Sequence, residues 1–281
     1  MTKSEPKKVA LPQASDGIVL ADYQSDDCIL SVRESHDWRW LVFDNKLVLD
    51  NNKSLNSSAT PLAIQSLMLK SDSSYLALPY MQAMLASLCF NRAADSASVL
   101  QLGLGAGAIN RFFEHYLPQL QLTTVELKPV VVDIYKTFFW CENKAAKTQE
   151  QIVVENALDY LTVTKESSSD LILCDLYTEQ GLPDFLLEHQ FYQSVYRVLS
   201  ADGVLVINTG HRSVELLQRM FDPLREFFTY LIFSELLGYE NIIIYASNTE
   251  LTIDQDKCDQ LQKSIDLNIY QHFSSAKTLA I

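Results

Sequence analysis

The sequence predicts an α/β protein: a doubly wound, mostly parallel sheet that ends in an antiparallel hairpin and follows a small N-terminal β module. Three observations carry that expectation. From Ser98 to about Gly210, short apolar runs alternate with amphipathic stretches of helical spacing. A glycine turn, Gly103-Leu104-Gly105-Ala106-Gly107, lies between the first such run and the first such stretch. Two more β-type runs, Tyr230 to Ser234 and Asn241 to Tyr245, flank a turn at Leu237-Gly238-Tyr239-Glu240. Alternation of strands and helices requires right-handed crossovers and gives a parallel sheet covered on both faces. Two runs joined by a short turn pair antiparallel.

The elements follow in order. Residues 1–17 are polar and read as a disordered tail. Residues 18–60 read as the small β module, with strands at Cys28 to Val32 and Trp38 to Leu49 and turn signals at Asp44-Asn45 and Asp50-Asn51-Asn52. Residues 61–281 read as one Rossmann-like domain. Its first helix spans Tyr75 to Phe90, with Leu78, Met81, Leu85 and Leu88 at helical spacing. Strands follow at Val99 to Leu102, Leu122 to Val125, Ile152 to Val154, Leu171 to Cys174 and Gly203 to Asn208. The helices between them cover Ile109 to Tyr116, Val130 to Trp140, a stretch through Leu158 and Leu161, and Phe191 to Leu199. A terminal helix is expected from Asp254 to Phe273.

Composition narrows the function. The chain has 281 residues, enough for one large domain with a smaller one. Hydrophobic residues at 48% and charged residues at 20% describe a globular protein. A net charge of -13 lacks the basic footprint that displaces counterions from phosphates, so nucleic acid is not an expected partner. A cationic small molecule is electrostatically welcome, although acidic charge also serves solubility. Cys28, Cys89, Cys141, Cys174 and Cys258 form no C-x-x-C pair, and the five histidines lack ligand spacing, so no metal site is expected. Unpaired cysteines, no secretory signal and no membrane-length apolar run lead to a cytoplasmic expectation with no membrane partner.

The glycine turn carries chemistry because glycine permits a sharp turn and close ligand approach, while the helix after it offers free N–H groups. Gly103, Gly105 and Gly107 are its members. Glu126 ends the second strand about twenty residues on, where an acid can accept hydrogen bonds from ribose hydroxyls. Asn156 and Ala157 end the third strand, where an amide and a small residue can grip an adenine; an asparagine there also serves as a helix cap. Asp175 ends the fourth strand. Ligands of open α/β sheets sit beyond the carboxyl ends of the strands, so these positions converge on one crevice.

The segments VLQLGLGAGA from Val99, Val125-Glu126, VENALDYL from Val154, CDLYTEQGLP from Cys174, Phe191-Tyr192 and LSADGVLVIN from Leu199 resemble the spermidine synthase family. That family of polyamine aminopropyltransferases lies within the class I S-adenosylmethionine-dependent methyltransferase superfamily. The resemblance implies S-adenosylmethionine or its decarboxylated form as cofactor, bound by the glycine turn, Glu126, Asn156, Ala157 and Gln82. It implies Asp175 as the catalytic acid facing the reacting centre, Tyr80 and Tyr177 at the substrate, and a small-molecule acceptor with amines among the candidates. The N-terminal sheet of the family often joins subunits, so a homodimer is implied too.

The departures from the family are specific. Ala106, Thr178, Asn156 and Ala83 stand where the family carries acids, and Val48 where it carries a glutamine. A buried ammonium without a partner costs several kcal/mol, so the polyamine site reads as diverged. The leading reading is a transferase of methyl or aminopropyl groups. The alternatives are a non-catalytic nucleoside-binding protein and an NAD-dependent oxidoreductase, which the glycine turn permits.

Overall fold

The computed structural model describes residues 10–24, 28–45, 63–90, 98–140, 150–178, 181–209, 214–236, 238–265 and 277–280. Among them a large sheet of eight strands has the order β12-β10-β11-β9-β8-β5-β6-β7. The strands β5 (Ser98–Leu102), β6 (Gln121–Glu126), β7 (Gln151–Val154), β8 (Ser169–Cys174) and β9 (Leu199–Asn208) pair in parallel. The hairpin β10 (Tyr230–Glu235) and β11 (Ile242–Ser247) joins antiparallel, with β11 against β9. A last strand, β12 (Lys277–Ala280), pairs with β10 outside the predicted elements.

The side-chain period of two explains why the central strands are apolar throughout. Leu171, Leu173, Val204 and Val206 enter one core, with α1 (Pro79–Leu85), α2 (Ala108–Tyr116) and α7 (Gln255–Ile265) packed on it. Ile172, Cys174, Leu205 and Ile207 enter the other, covered by α4 (Ala157–Val163), α5 (His189–Val198) and α6 (Val214–Phe227). Both faces are buried, as a parallel sheet requires. Strand order reverses between β5 and β8, which opens a crevice beyond their carboxyl ends. None of the described helices is long and apolar enough to cross a membrane.

A second, antiparallel sheet runs β1 (Ile18–Gln24), β2 (Cys28–Glu34), β3 (Trp38–Asn45), β4 (Ala63–Leu69). Its fourth strand lies beyond the residue-60 boundary drawn from the sequence. Leu30, Val32, Leu41 and Met68 pack with Leu104 and Ala106 of the glycine turn and with Val131 and Ile134 of α3 (Pro129–Ile134). This sheet therefore sits over the crevice. Of the tail expected over residues 1–17, residues 10–17 lie on the sheet: Trp38 Nε1 donates to Ala10 O at 2.9 Å and Arg33 Nη1 to Ser15 O at 3.0 Å. Residues 1–9, 46–62 and 266–276 lie outside the described residues, with Val48, the turn at Asp50 and the end of the predicted terminal helix among them.

Other differences have local causes. The helix predicted from Tyr75 starts at Pro79, whose fixed φ suits a first helical turn, and tightens into a 3-10 turn at Ala86–Cys89. The helix predicted from Val130 to Trp140 passes into one wide π-type turn at Tyr135–Phe139. Helix α6 arises where no element was predicted, because Pro223 interrupts its pattern.

Tyr245 of β11 is fully buried and donates its hydroxyl to Ala83 O of α1 at 2.6 Å. Tyr245→Phe keeps the ring packing and loses this bond. Stability should fall by about 1 kcal/mol, read as a lower urea midpoint at unchanged slope. An unchanged midpoint would show that the bond contributes nothing.

Candidate functional site

The crevice holds a cavity of about 410 Å³. Strand order sets its wall: Asn156 follows β7, Glu126 ends β6, Gly103 follows β5, Asp175 follows β8, Asn208 ends β9 and Asn241 precedes β11. Glu126 and Asp175 are thus two strand spacings apart, roughly 10 Å. Phe43, Ile64 and Gln65 of the N-terminal sheet complete the enclosure.

The three glycines do different work. Gly103 has φ +93, and a Cβ there would lie 2.2 Å from Asp175 O, so only glycine fits. Around it Gly103 N donates to Val125 O at 2.8 Å and Asp175 N to Leu102 O at 3.0 Å, which ties β5, β6 and β8 together at their ends. Gly105, with φ +54, faces the cavity, and the nearest atom to a Cβ there is Ser66 Cβ at 3.9 Å. Gly107 is expected from the sequence at the ligand. It is not on the cavity wall, and a Cβ would enter the Tyr135 ring at 2.1 Å. Its task is to start α2 in the left-handed region, φ 68.

Glu126 is fixed by the backbone. Its Oε2 accepts from Leu104 N at 3.0 Å and its Oε1 from Lys128 N at 2.9 Å. Burial pushes its carboxyl above the usual range, and those N–H groups with the nearby Lys128 charge hold it down only in part. Asn156 and Ala157 also line the cavity. Asn156 caps α4: its Oδ1 accepts from Leu158 N at 2.8 Å and Asp159 N at 3.4 Å. Its side-chain oxygen is therefore committed to the helix, and Ala157 beside it is buried.

Asp175 has two donors. Asn208 Nδ2 donates to its Oδ1 at 2.8 Å, and the Tyr80 hydroxyl donates to its carboxylate. Asn208 Oδ1 in turn accepts from Asn241 Nδ2 at 2.9 Å, so a chain of amides runs from the hairpin to the acid. Burial raises the Asp175 carboxyl above its ordinary value, and the two hydrogen bonds offset part of the rise. Burial first and the Asp175 charge second raise Tyr80 well above the ordinary phenol, so it stays a donor at neutral pH. Tyr177 lies on the same wall, and its buried hydroxyl meets no hydrogen-bond partner among the described residues. No group of His, Cys, Asp or Glu among the described residues is arranged to hold a metal.

Gln82 is expected from the sequence at the cofactor. It is absent from the wall, because its position on α1 turns its amide back to Leu76 O at 2.7 Å. Ala83 is fully buried in the core beside it. Thr178 lines the cavity with its hydroxyl donated to Gly181 O at 2.9 Å. Sequence reading missed Asn208, Asn241, Tyr239 and Gln65, all on the wall. Asn208 had a usable signal, since it ends an apolar strand as Asp175 does. Gln65 and Tyr239 reach the site only through tertiary packing.

An acid whose folded pKa is raised opposes folding when ionised. The Asp175 contribution therefore improves as pH falls through the raised value, and the gain is complete below the ordinary carboxylate range. Asp175→Asn should raise the Tm of the free protein at neutral pH, and the difference from the parent should shrink as pH falls. A lower Tm for the variant at pH 7 would mean that its donors already compensate the buried charge.

The spermine/spermidine synthase domain family model matches residues 79–247, more than half of the chain. The polyamine aminopropyltransferase of Chromobacterium violaceum is 33% identical over 145 residues, 52% of this chain and 54% of that protein. The eEF1A lysine and N-terminal methyltransferase of Xenopus laevis is 26% identical over 211 residues, 69% of this chain and 30% of that protein. The chain thus spans about half the length, or less, of these curated relatives. Among solved structures, a probable spermidine synthase from Corynebacterium glutamicum aligns with a TM-score of 0.69 at 17% identity, over 94% of this chain and 91% of its own. Human methyltransferase-like protein 13 in complex with SAH aligns at 0.58 and 19% identity, over 69% and 93%. These likenesses show a class I methyltransferase-like fold. The matched span runs from α1 to β11 and takes in both the parallel sheet and the cavity wall from Tyr80 to Asn241, and the chain belongs to the spermine/spermidine synthase family.

Proposed function

We propose that this chain is a transferase that takes a group from S-adenosylmethionine or its decarboxylated form and passes it to a small acceptor. One observation carries the reading: Glu126, bonded to the glycine turn, and Asp175, half-buried on the adjoining wall, bound a single cavity. The residues fit such a nucleoside. Gly105 leaves its backbone open to a ligand, where a side chain would project into the cavity. The Tyr177 hydroxyl, without a partner among the described residues, is a buried polar atom that a ligand can satisfy. The relatives include enzymes named for both aminopropyl and methyl transfer, which is consistent with either group.

The nucleoside, when bound, supplies an electrophilic carbon on a positively charged sulfur. Glu126 keeps lone pairs beyond its two backbone donors and presents them to ribose hydroxyls. Asn156 and Ala157 offer a wall at the adenine end. Asp175 balances positive charge and, for an amine acceptor, takes the proton that the nitrogen must lose before it can attack. Its raised pKa makes it a stronger base than a surface aspartate, and Tyr80 and Asn208 fix the carboxylate in line.

Glu126→Ala should weaken binding of methylthioadenosine by about 1.5–3 kcal/mol, the worth of hydrogen bonds to a charged group. Titration calorimetry with unchanged affinity would remove Glu126 from the site. For Asp175, linkage sets the sign: a cationic ligand stabilises the carboxylate, so it should bind more weakly as pH falls through the raised pKa. Asp175→Asn should erase that dependence for S-adenosylmethionine while the neutral methylthioadenosine changes much less. Equal binding of S-adenosylmethionine to variant and parent at every pH would leave Asp175 a structural residue.

A further inference from the structure

We infer that the acceptor end of the cavity takes a primary amine with one ammonium group, an apolar body and a neutral hydrogen-bonding group, and discriminates against diamines. This rests on the transferase reading above and names the substrate class for it. The described carboxylates on the cavity wall are Glu126, Glu155 and Asp175. Strand order puts Glu126 and Glu155 on the β6–β7 side of the glycine turn, so beyond that turn Asp175 is the one acid among the described lining residues. One carboxylate balances one ammonium.

The other polar groups at this end are neutral and mostly engaged. Asn208 donates to Asp175 and accepts from Asn241, and the Thr178 hydroxyl serves Gly181 O. Leu176, Pro183, Phe185 and Tyr239 supply apolar and aromatic surface. Among the described residues a second ammonium would meet no anion there, which is unfavourable in a partly dry cavity. The Tyr177 hydroxyl, buried on the same wall without a partner among the described residues, both donates and accepts. It suits a neutral oxygen on the ligand and fails an alkyl end.

Three amines of matched length separate these terms: 4-amino-1-butanol, n-pentylamine and 1,4-diaminobutane, which end in hydroxyl, methyl and ammonium. Binding is measured by calorimetry to protein saturated with methylthioadenosine. Salt of about 0.15 M screens long-range attraction to the acidic surface. The aminoalcohol should bind up to about tenfold tighter than pentylamine, the range of one neutral hydrogen bond. The diamine should bind at least about tenfold more weakly than the aminoalcohol, as expected for a charge left unpaired. Tyr177→Phe should close the gap between aminoalcohol and pentylamine and leave the diamine the weaker ligand. A diamine that binds as well as the aminoalcohol overturns the inference, as does a parent protein that binds none of the three while holding methylthioadenosine. Failure of methylthioadenosine itself to bind would instead remove the transferase reading beneath it.

Discussion

The approach of Gly103 to the backbone of Asp175 is the constraint on which the rest of the site depends. With a Cβ position 2.2 Å from Asp175 O, the chain leaves β5 in a direction that no other residue permits. Two backbone bonds, Gly103 N to Val125 O and Asp175 N to Leu102 O, then hold the ends of β6, β5 and β8 side by side. Glu126 and Asp175 end two of those strands or follow them at once, so their separation is set by sheet geometry rather than by loops. Rigid placement of this kind removes reorganisation from a transfer reaction.

Burial gives these acids their character. A carboxylate on an open strand end would titrate as on a surface. Here the N-terminal sheet lies over the crevice through Phe43, Ile64 and Gln65, and water is displaced from one side. Both carboxyls rise with burial as the largest cause, and the protein answers with donors at each: backbone N–H groups for Glu126, Tyr80 and Asn208 for Asp175. The donors differ in kind. Backbone groups cannot swing away, which suits an acid that only binds. Side-chain donors can rearrange, which suits an acid whose charge changes during a reaction.

Sequence reading recovered the features that follow from local rules. The strands of the parallel sheet were legible because both of their faces are buried and the runs are apolar throughout. The place of Glu126 and Asp175 on the cavity wall was legible because a strand end beyond a glycine turn has a fixed place in such sheets. What escaped depends on where other elements pack. Gln82 stands two residues from Tyr80, yet its amide closes on Leu76 O while Tyr80 reaches Asp175. Gly107 belongs to the glycine pattern, but the ring of Tyr135, far along the chain, makes its role one of packing. Asn241 reads as the first residue of a strand, and only the pairing of β11 with β9 brings its amide to Asn208. Pro223 hid α6, since proline in a helix interior is rare enough to break the pattern.

The glycine turn is open towards the cavity and closed on its buried side, and the closure orders a sequence that glycine would leave free. Three glycines within five residues would cost much conformational entropy to order. Beneath them Arg111 of α2 donates to Ala106 O within the turn and, through Nε, to Ser73 O at 2.8 Å. The Tyr135 ring occupies the space that Gly107 leaves, and its hydroxyl reaches Glu150 Oε1 at 3.3 Å. That oxygen also accepts from Asn110 at 2.6 Å, and Asn110 donates to Thr124 of β6 at 2.8 Å. The turn is thus anchored from its buried side, through α2 and the Tyr135 ring, to β6 and to the loops that hold Ser73 and Glu150. Glycine supplies the shape, and the network beneath removes the freedom that glycine brings. A ligand of the kind proposed would meet a turn already ordered, and its binding energy need not be spent on ordering it.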